Sequence, residues 1–328
     1  MKKHVIFLLV LFLLLLFFTF LTLLKGNNPF TFPQLLRILR LGRGDDFTIL
    51  FQIRLPRVLG AIIVGGILSI CGVVLQAILR NPLAEPYTLG ISGGASLGAA
   101  IGIILGWGIG FRIVSGFAGS LFALGLVYAL AYRRGFSVSS LILGGVVVSF
   151  LFTSLIWLFF SLSKRWEIHE MYAWIMGNLS SLSMNQVKLL SLLVIPASFI
   201  LYGLGRDLNI LLLGDEKATS LGVFPKKLRG FLFLLVSYLA GVCISFTGII
   251  GFVGLIVPHL LRQKLGSQHI VLLPAAFLGG GLFLLLADFL ARNIIYPQEL
   301  PVGVITGILG GIFFLILFWS KKEWEIPR

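Results

Sequence analysis

Ten runs of apolar residues, each close to the length of a bilayer crossing, divide this chain, and no other feature limits its fold so strongly. A helix needs about 20 apolar residues to cross the hydrocarbon core. The runs fall near 5–24, 57–79, 89–109, 112–132, 138–162, 189–205, 229–247, 249–265, 270–290 and 302–320. A length of 328 residues would ordinarily suggest two soluble domains. Here apolar residues make up 58% and charged residues 12%, against about 25% charged in a soluble domain. The expectation is an all-α, polytopic membrane protein of about ten transmembrane helices, with one transmembrane domain over residues 1–328.

The first run follows Lys2, Lys3 and His4, as a signal peptide would. It is too long for a secretory h-region of about 7–15 residues, and Lys25-Gly26-Asn27 follows where a small-residue cleavage site would stand. It reads as an uncleaved span with a cytoplasmic N-terminus. The eighth run is short, Gly-rich and interrupted by Pro258. Such a break is tolerated where its backbone groups are buried in protein or line a cavity.

The net charge of +14 does not point to nucleic acid, because the basic residues sit in short connections rather than on one wet face. Placing the N-terminus inside assigns Arg80, Arg133, Arg134, Arg206, Lys217, Lys226, Lys227, Arg229, Arg262, Lys264, Lys321 and Lys322 to the cytoplasm. Both termini are then cytoplasmic. Arg37, Arg40, Arg43, Arg54, Arg57, Lys164, Arg165 and Arg292 fall outside and need their own explanation. Cys71 and Cys243 lie within apolar runs and read as small buried hydrophobes.

No Gly-x-x-x-x-Gly-Lys-Ser/Thr loop occurs, so any ATP hydrolysis belongs to another chain. His4, His169, His259 and His269 show no metal-ligand spacing, and no catalytic constellation or cofactor motif stands out. Asp288 is the one acid set well inside a run, four residues before Arg292, where the two share a helical face and can pair. A proton relay is the other reading of that acid. The scarcity of buried carboxylates argues for an outside energy source.

Three connections are long: 25–56 and 163–188 outside and 206–228 inside. The second contains an amphipathic stretch from Met171 to Leu182; the third contains 212–223, whose Ala218, Leu221 and Val223 can form one face of a short helix. Glycines cluster within the runs, as close helix approach in lipid requires. Runs 2–5 begin outside and runs 7–10 inside, which is compatible with an inverted repeat.

Local patterns then add a resemblance. They are Arg54-Leu-Pro-Arg57; Gln76 with Asn81-Pro-Leu-Ala-Glu-Pro86; Leu89-Gly-Ile-Ser-Gly-Gly-Ala95; Leu213-Gly-Asp-Glu216 with Ala218 and Leu221-Gly222; 248–262 ending in Pro258-His-Leu-Leu-Arg262; and Asp288, Arg292 and Glu299-Leu-Pro-Val-Gly303. Together they resemble the permease subunits of iron-siderophore, heme and cobalamin ABC importers, in that family's order and from about 54 to 320. The resemblance implies a homodimer in the cell (inner) membrane, two cytoplasmic ATPase subunits, and a periplasmic or lipid-anchored substrate-binding protein. It implies alternating access on the dimer axis.

The same resemblance assigns roles. Gly214, Asp215, Glu216, Ala218, Leu221 and Gly222 would form the segment that couples to the ATPase, with Ala218 and Leu221 touching it. Arg54, Arg57 and Arg292 would dock carboxylates of the binding protein, a pairing that suits guanidinium; snorkelling anchors are the plain reading. Val138 and Ser139 would form the cytoplasmic gate with Asn81 and Leu83, although a hydroxyl is frequent in the family where Val138 stands. Capping of the helix start by Ser137-Val-Ser-Ser140 is the other reading there. Leu143, Phe150 and Trp157 would line a pathway without selecting a substrate. The competing class is an ion-coupled carrier or channel without an ATPase.

Overall fold

The computed structural model describes residues 2–25, 29–295 and 297–319, apart from the side chains of Leu39, Leu41 and Thr88. Lys321 and Lys322, expected inside, lie outside the described residues. Every regular element described is helical. In chain order they are α1 (Lys2–Leu24), α2 (Phe32–Leu41), α3 (Asp45–Thr48), α4 (Leu55–Ile78), α5 (Ile91–Ile104), α6 (Ile109–Arg133), α7 (Val138–Leu162) and α8 (Arg165–Ile175). Then follow α9 (Met184–Gly203), α10 (Gly205–Leu212), α11 (Asp215–Ser220), α12 (Pro225–Thr247), α13 (Val253–Leu265), α14 (His269–Asn293) and α15 (Val302–Trp319).

All ten apolar runs become helices, and among the described residues eight helices are long and apolar enough to cross a membrane. The other two are shorter than the sequence suggests. α5 has 14 residues and α13 has 13, about 20 Å each at 1.5 Å per residue, against a core of about 30 Å. The connections also differ from expectation. Residues 25–56 contain α2, and from Asp45 the chain is continuously helical into α4 through a π-helical stretch, Ile49–Arg54. The amphipathic stretch foreseen at 171–182 is instead α8, ending at Ile175 before Gly177, whose φ of 72° breaks the helix.

The two short helices hold corresponding places, third and eighth among the ten. Neither continues an α-helix: a 3-10 turn, Pro86–Leu89, leads into α5 and an irregular stretch into α13, and each is preceded by a residue in the left-handed region, Gly90 (φ 79°) and Phe252 (φ 68°). The approaches meet. Tyr87 Oη donates to the Ile250 carbonyl, the Ile250 amide donates back to Tyr87 Oη at 3.0 Å, and the Phe252 amide donates to the Glu85 carboxylate at 3.2 Å. Side chains of the first approach thus satisfy backbone groups of the second that lipid could not. Helix contacts pair up in the same way: α4–α14 with α12–α6, α5–α6 with α13–α14, and α4–α13 with α12–α5. This is the contact pattern of an internal repeat, compatible with the inversion expected from sequence.

α4 and α12 form the centre, buried on nearly every side, as their all-round apolar sequences require. Glycine decides the closest approach. A Cβ on Gly72 of α4 would lie 1.8 Å from the Gly254 carbonyl oxygen of α13, so the helix backbones touch directly there. α1, α6, α9 and α15 surround this centre with broad apolar faces turned outward.

Candidate functional site

Three regions gather the residues singled out by sequence. The first surrounds α11. Gly214 (φ 105°) and Gly222 (φ 83°) bracket a helix of only six residues, and both backbone conformations favour glycine. Asp215 opens it. Its carboxylate accepts two hydrogen bonds from Arg229 of α12, at 2.8 and 2.6 Å, and one from Arg80 beyond α4, at 2.8 Å. Arg229 is buried, while the Asp215 side chain is about half exposed. The Arg229 hydrogen bond, reinforced by Arg80, holds the Asp215 carboxyl below its ordinary value of 3.8. α11 is therefore clamped at its start to the ends of two central helices. Arg80 and Arg229 came from sequence only as inner cations, because separations of 135 and 14 residues from Asp215 hide the contact.

The expectation that Ala218 touches another chain is corrected. Its relative exposure is 0%, and it faces its own protein because it is the small apolar residue among the charged and hydroxyl neighbours of α11. Leu221 (58% exposed), Leu213 and Phe224 carry the outward apolar surface of this region. Glu216 is also exposed.

At the start of α7, the Ser137 hydroxyl accepts from the Ser140 amide at 3.2 Å, so the capping role is present. Val138 is half-buried and Ser139 exposed. In the approach to α5, the Asn81 side chain accepts from the Leu83 amide at 2.9 Å, which turns the chain, and Leu83 is exposed. Further along α7, Leu143, Val147, Phe150 and Trp157 recur at helical spacing and are 53–71% exposed. They form an apolar stripe, interrupted between Phe150 and Trp157 by the exposed hydroxyl residues Thr153 and Ser154. Trp157 also edges a hollow between α5, α7 and α8.

The second cluster of charge lies where α4 begins and α14 ends. Arg57 reaches Asp288 at 2.9 Å and Glu299 at 2.6 Å, and Arg292 reaches the other Asp288 oxygen at 3.1 Å. The pairing of Asp288 with Arg292 was expected; the sharing of Asp288 with Arg57, 231 residues away, was not legible. Arg54 donates to the Leu23 and Leu24 carbonyls at the end of α1, at 2.8 and 3.3 Å, and lies over the Phe30 ring. All three arginines are only 5–6% exposed, so in the isolated chain none presents its guanidinium to solvent. Glu299, 38% exposed in its side chain, is the accessible member.

Two histidines join polar pairs. His259 bonds Gln263 at 3.0 Å, and His269 Nδ1 meets the Asn209 carbonyl oxygen at 2.8 Å. Among the described residues no three His, Cys, Asp or Glu side chains converge as a metal site would require.

Comparison with known proteins is consistent with this architecture. Residues 13–320 match the FecCD transport family. The hemin transport system permease protein of Yersinia pestis is 37% identical over 278 residues, 83% of either chain. The iron(3+)-hydroxamate import system permease protein of Bacillus subtilis is 36% identical over 292 residues, 86% of either chain. Among solved structures, a metal-chelate type ABC transporter in an inward-facing conformation superposes with a TM-score of 0.88 at 32% identity, covering 95% of this chain and 98% of that one. This chain, a multi-pass membrane protein of helices only among its described elements, therefore belongs to the FecCD transport family.

Proposed function

We propose that this protein is the membrane-spanning permease subunit of an ATP-driven importer that brings a bulky metal chelate, of the iron-siderophore, heme or cobalamin type, into the cytoplasm. It works as a homodimer by alternating access at the two-fold axis, with both termini cytoplasmic in the cell (inner) membrane. Two separate ATPase subunits bind below, and a binding protein, periplasmic or lipid-anchored, delivers the chelate from outside.

The observation that carries this reading is the α11 clamp. A short exposed helix, bracketed by glycines and fastened by one carboxylate to α4 and α12, is suited to transmit a push from a soluble subunit to the centre of the bundle. Leu213, Leu221 and Phe224 supply the apolar surface for that subunit. The stripe on α7 supports a second copy packing at the axis, with Leu143, Phe150 and Trp157 along the path, Val138 and Ser139 at its inner end, and Asn81 and Leu83 completing the gate. The buried outer arginines support docking of an indirect kind: a carboxylate on the binding protein would take the place of Glu299 beside Arg57. The carrier reading draws no support from Asp288, since its carboxylate is held between two guanidinium groups.

The test is uptake of labelled chelate into proteoliposomes holding this chain with its ATPase, given the binding protein on one side and ATP on the other. Uptake should require ATP, and the purified chain alone should hydrolyse none. Uptake driven by an ion gradient without ATP would overturn the proposal.

A further inference from the structure

A second hollow, about 440 Å³ in volume, opens where the end of α6 meets the start of α12. Both helices are long and apolar enough to cross a membrane, and they pack against each other. Their shared end therefore lies at the level of the lipid headgroups. Tyr128, Tyr132 and Phe136 bring rings to the hollow, and Lys226 and Lys227 bring ammonium groups. Phe136 packs edge-on to Tyr128 at 4.8 Å and to Tyr132 at 6.1 Å, and the two tyrosines stack with 12° between their planes. These contacts hold Phe136 at a φ of 53°, a conformation that is costly for a bulky residue. Gly230 of α12 faces the Phe136 ring, and its lack of a side chain leaves the space open.

Charge here is unbalanced. No Asp or Glu lines the hollow, and Arg133 and Arg134, next to Tyr132 in the chain, add two more exposed cations. Arg80 and Arg229 share Asp215. Among the described residues, none of Lys226, Lys227, Arg133 and Arg134 has a carboxylate partner; Lys227 lies over the Phe224 ring at 5.4 Å. The hollow also has depth. Leu234 lines it two helical turns beyond Lys226, about 12 Å further along at 1.5 Å per residue. Its lower part is thus level with acyl chains, where the surface of a soluble partner does not reach. A molecule with a charged head and an apolar tail does reach both ends.

We propose that this hollow binds one anionic phospholipid, its phosphate against Lys226 and Lys227 and an acyl chain along Phe231 and Leu234 towards Tyr128. Basic pockets between membrane helices favour anionic headgroups in this way. Rings alone would also suit the quaternary ammonium of a choline headgroup, but two lysines without a carboxylate partner repel a cation beside them. A headgroup with net negative charge, such as that of phosphatidylglycerol, is therefore favoured over phosphatidylcholine. Phe136 leads directly to Ser137 and Val138, so the bound lipid lies against the turn that opens α7.

The experiment uses the transporter purified in detergent with its ATPase, and native mass spectrometry that counts bound phosphatidylglycerol against phosphatidylcholine. One phosphatidylglycerol per copy of this chain is expected to bind ahead of phosphatidylcholine. Lys226→Gln and Lys227→Gln should each weaken it about fivefold, multiplying in the double variant. Lys226→Arg with Lys227→Arg should restore it. Both lysines are exposed, so the thermal midpoint should stay where it is in all of these. Lys264→Gln, which removes an exposed cation of α13 outside the hollow, is the control and should change nothing. Equal binding of phosphatidylcholine, or unaltered affinity in the double Gln variant, overturns the site. Full displacement of the lipid by excess glycerol phosphate also overturns it, because the ligand would then be a soluble phosphate ester. Loss of the ATPase from the double Gln variant with lipid binding intact would assign the lysines to that protein interface instead and overturn the lipid site.

Discussion

Asp288 is fully buried and shared by Arg57 and Arg292, which makes it the most consequential single carboxylate in the chain. Removing it would leave the buried Arg292 without its carboxylate and Arg57 with Glu299 alone, a loss of about 3–5 kcal/mol for a broken buried ionic group. Asp288→Asn should lower the thermal midpoint of the detergent-purified protein sharply. Glu299→Gln, whose side chain is 38% exposed, should lower it much less. Equal effects of the two would show that the cluster is not the buried unit described. Asp215 acts differently, because it is half exposed and its work is positional. Asp215→Asn should free α11, read as faster amide exchange over 214–222 and trypsin cleavage at Lys217, and should reduce uptake more than it reduces ATP hydrolysis. Its carboxyl is held below 3.8 by Arg229 and Arg80. The stabilisation it contributes is thus complete above that value and is lost as pH falls through the lowered one. Lowering the pH from 8 to about 5 should leave α11 protected; loss of protection in that window would contradict the clamp.

On the scale of elements, α11 separates burial from contact. Ala218→Glu places a carboxylate where exposure is 0%, so the helix itself should loosen. Leu221→Glu changes a residue that is 58% exposed, so the chain should keep its midpoint and lose the ATPase on co-purification. A folded, fully coupled Leu221→Glu protein would remove this face from the mechanism. The helix-scale pattern was only partly legible in sequence. The runs of about 20 apolar residues marked the spans because lipid demands that length. α5 and α13 were drawn too long: apolar residues continue past Ile104 into a turn at Gly106, whose φ is 67°, and the run of α13 begins in a break whose backbone is satisfied by Tyr87 and Glu85. Hydropathy measures side chains and is blind to backbone pairing of that kind.

For the whole molecule, the stripe of Leu143, Val147, Phe150 and Trp157 on α7 predicts where two copies meet. A Phe150→Cys protein should form an oxidised dimer in membranes, detected by non-reducing electrophoresis, because Cys71 and Cys243 are both buried and free. Absence of cross-linking along the stripe, tested also with Val147→Cys, would move the axis to another helix.

Sequence by itself determined the helical class, the ten runs, the family resemblance and the position of α11 between two glycines. These follow from local composition and from motifs whose order survives in one dimension. Only tertiary structure decided that Ala218 faces inward, that Asp215 is fastened by Arg80 and Arg229, that the outer arginines are buried rather than displayed, and that Lys226 and Lys227 border a ring-lined hollow beside α6. Each of these depends on residues brought together from distant spans, and in lipid, where apolar attraction between helices is weak, such pairings are set by close glycine contacts and polar partners that hydropathy along the chain does not record.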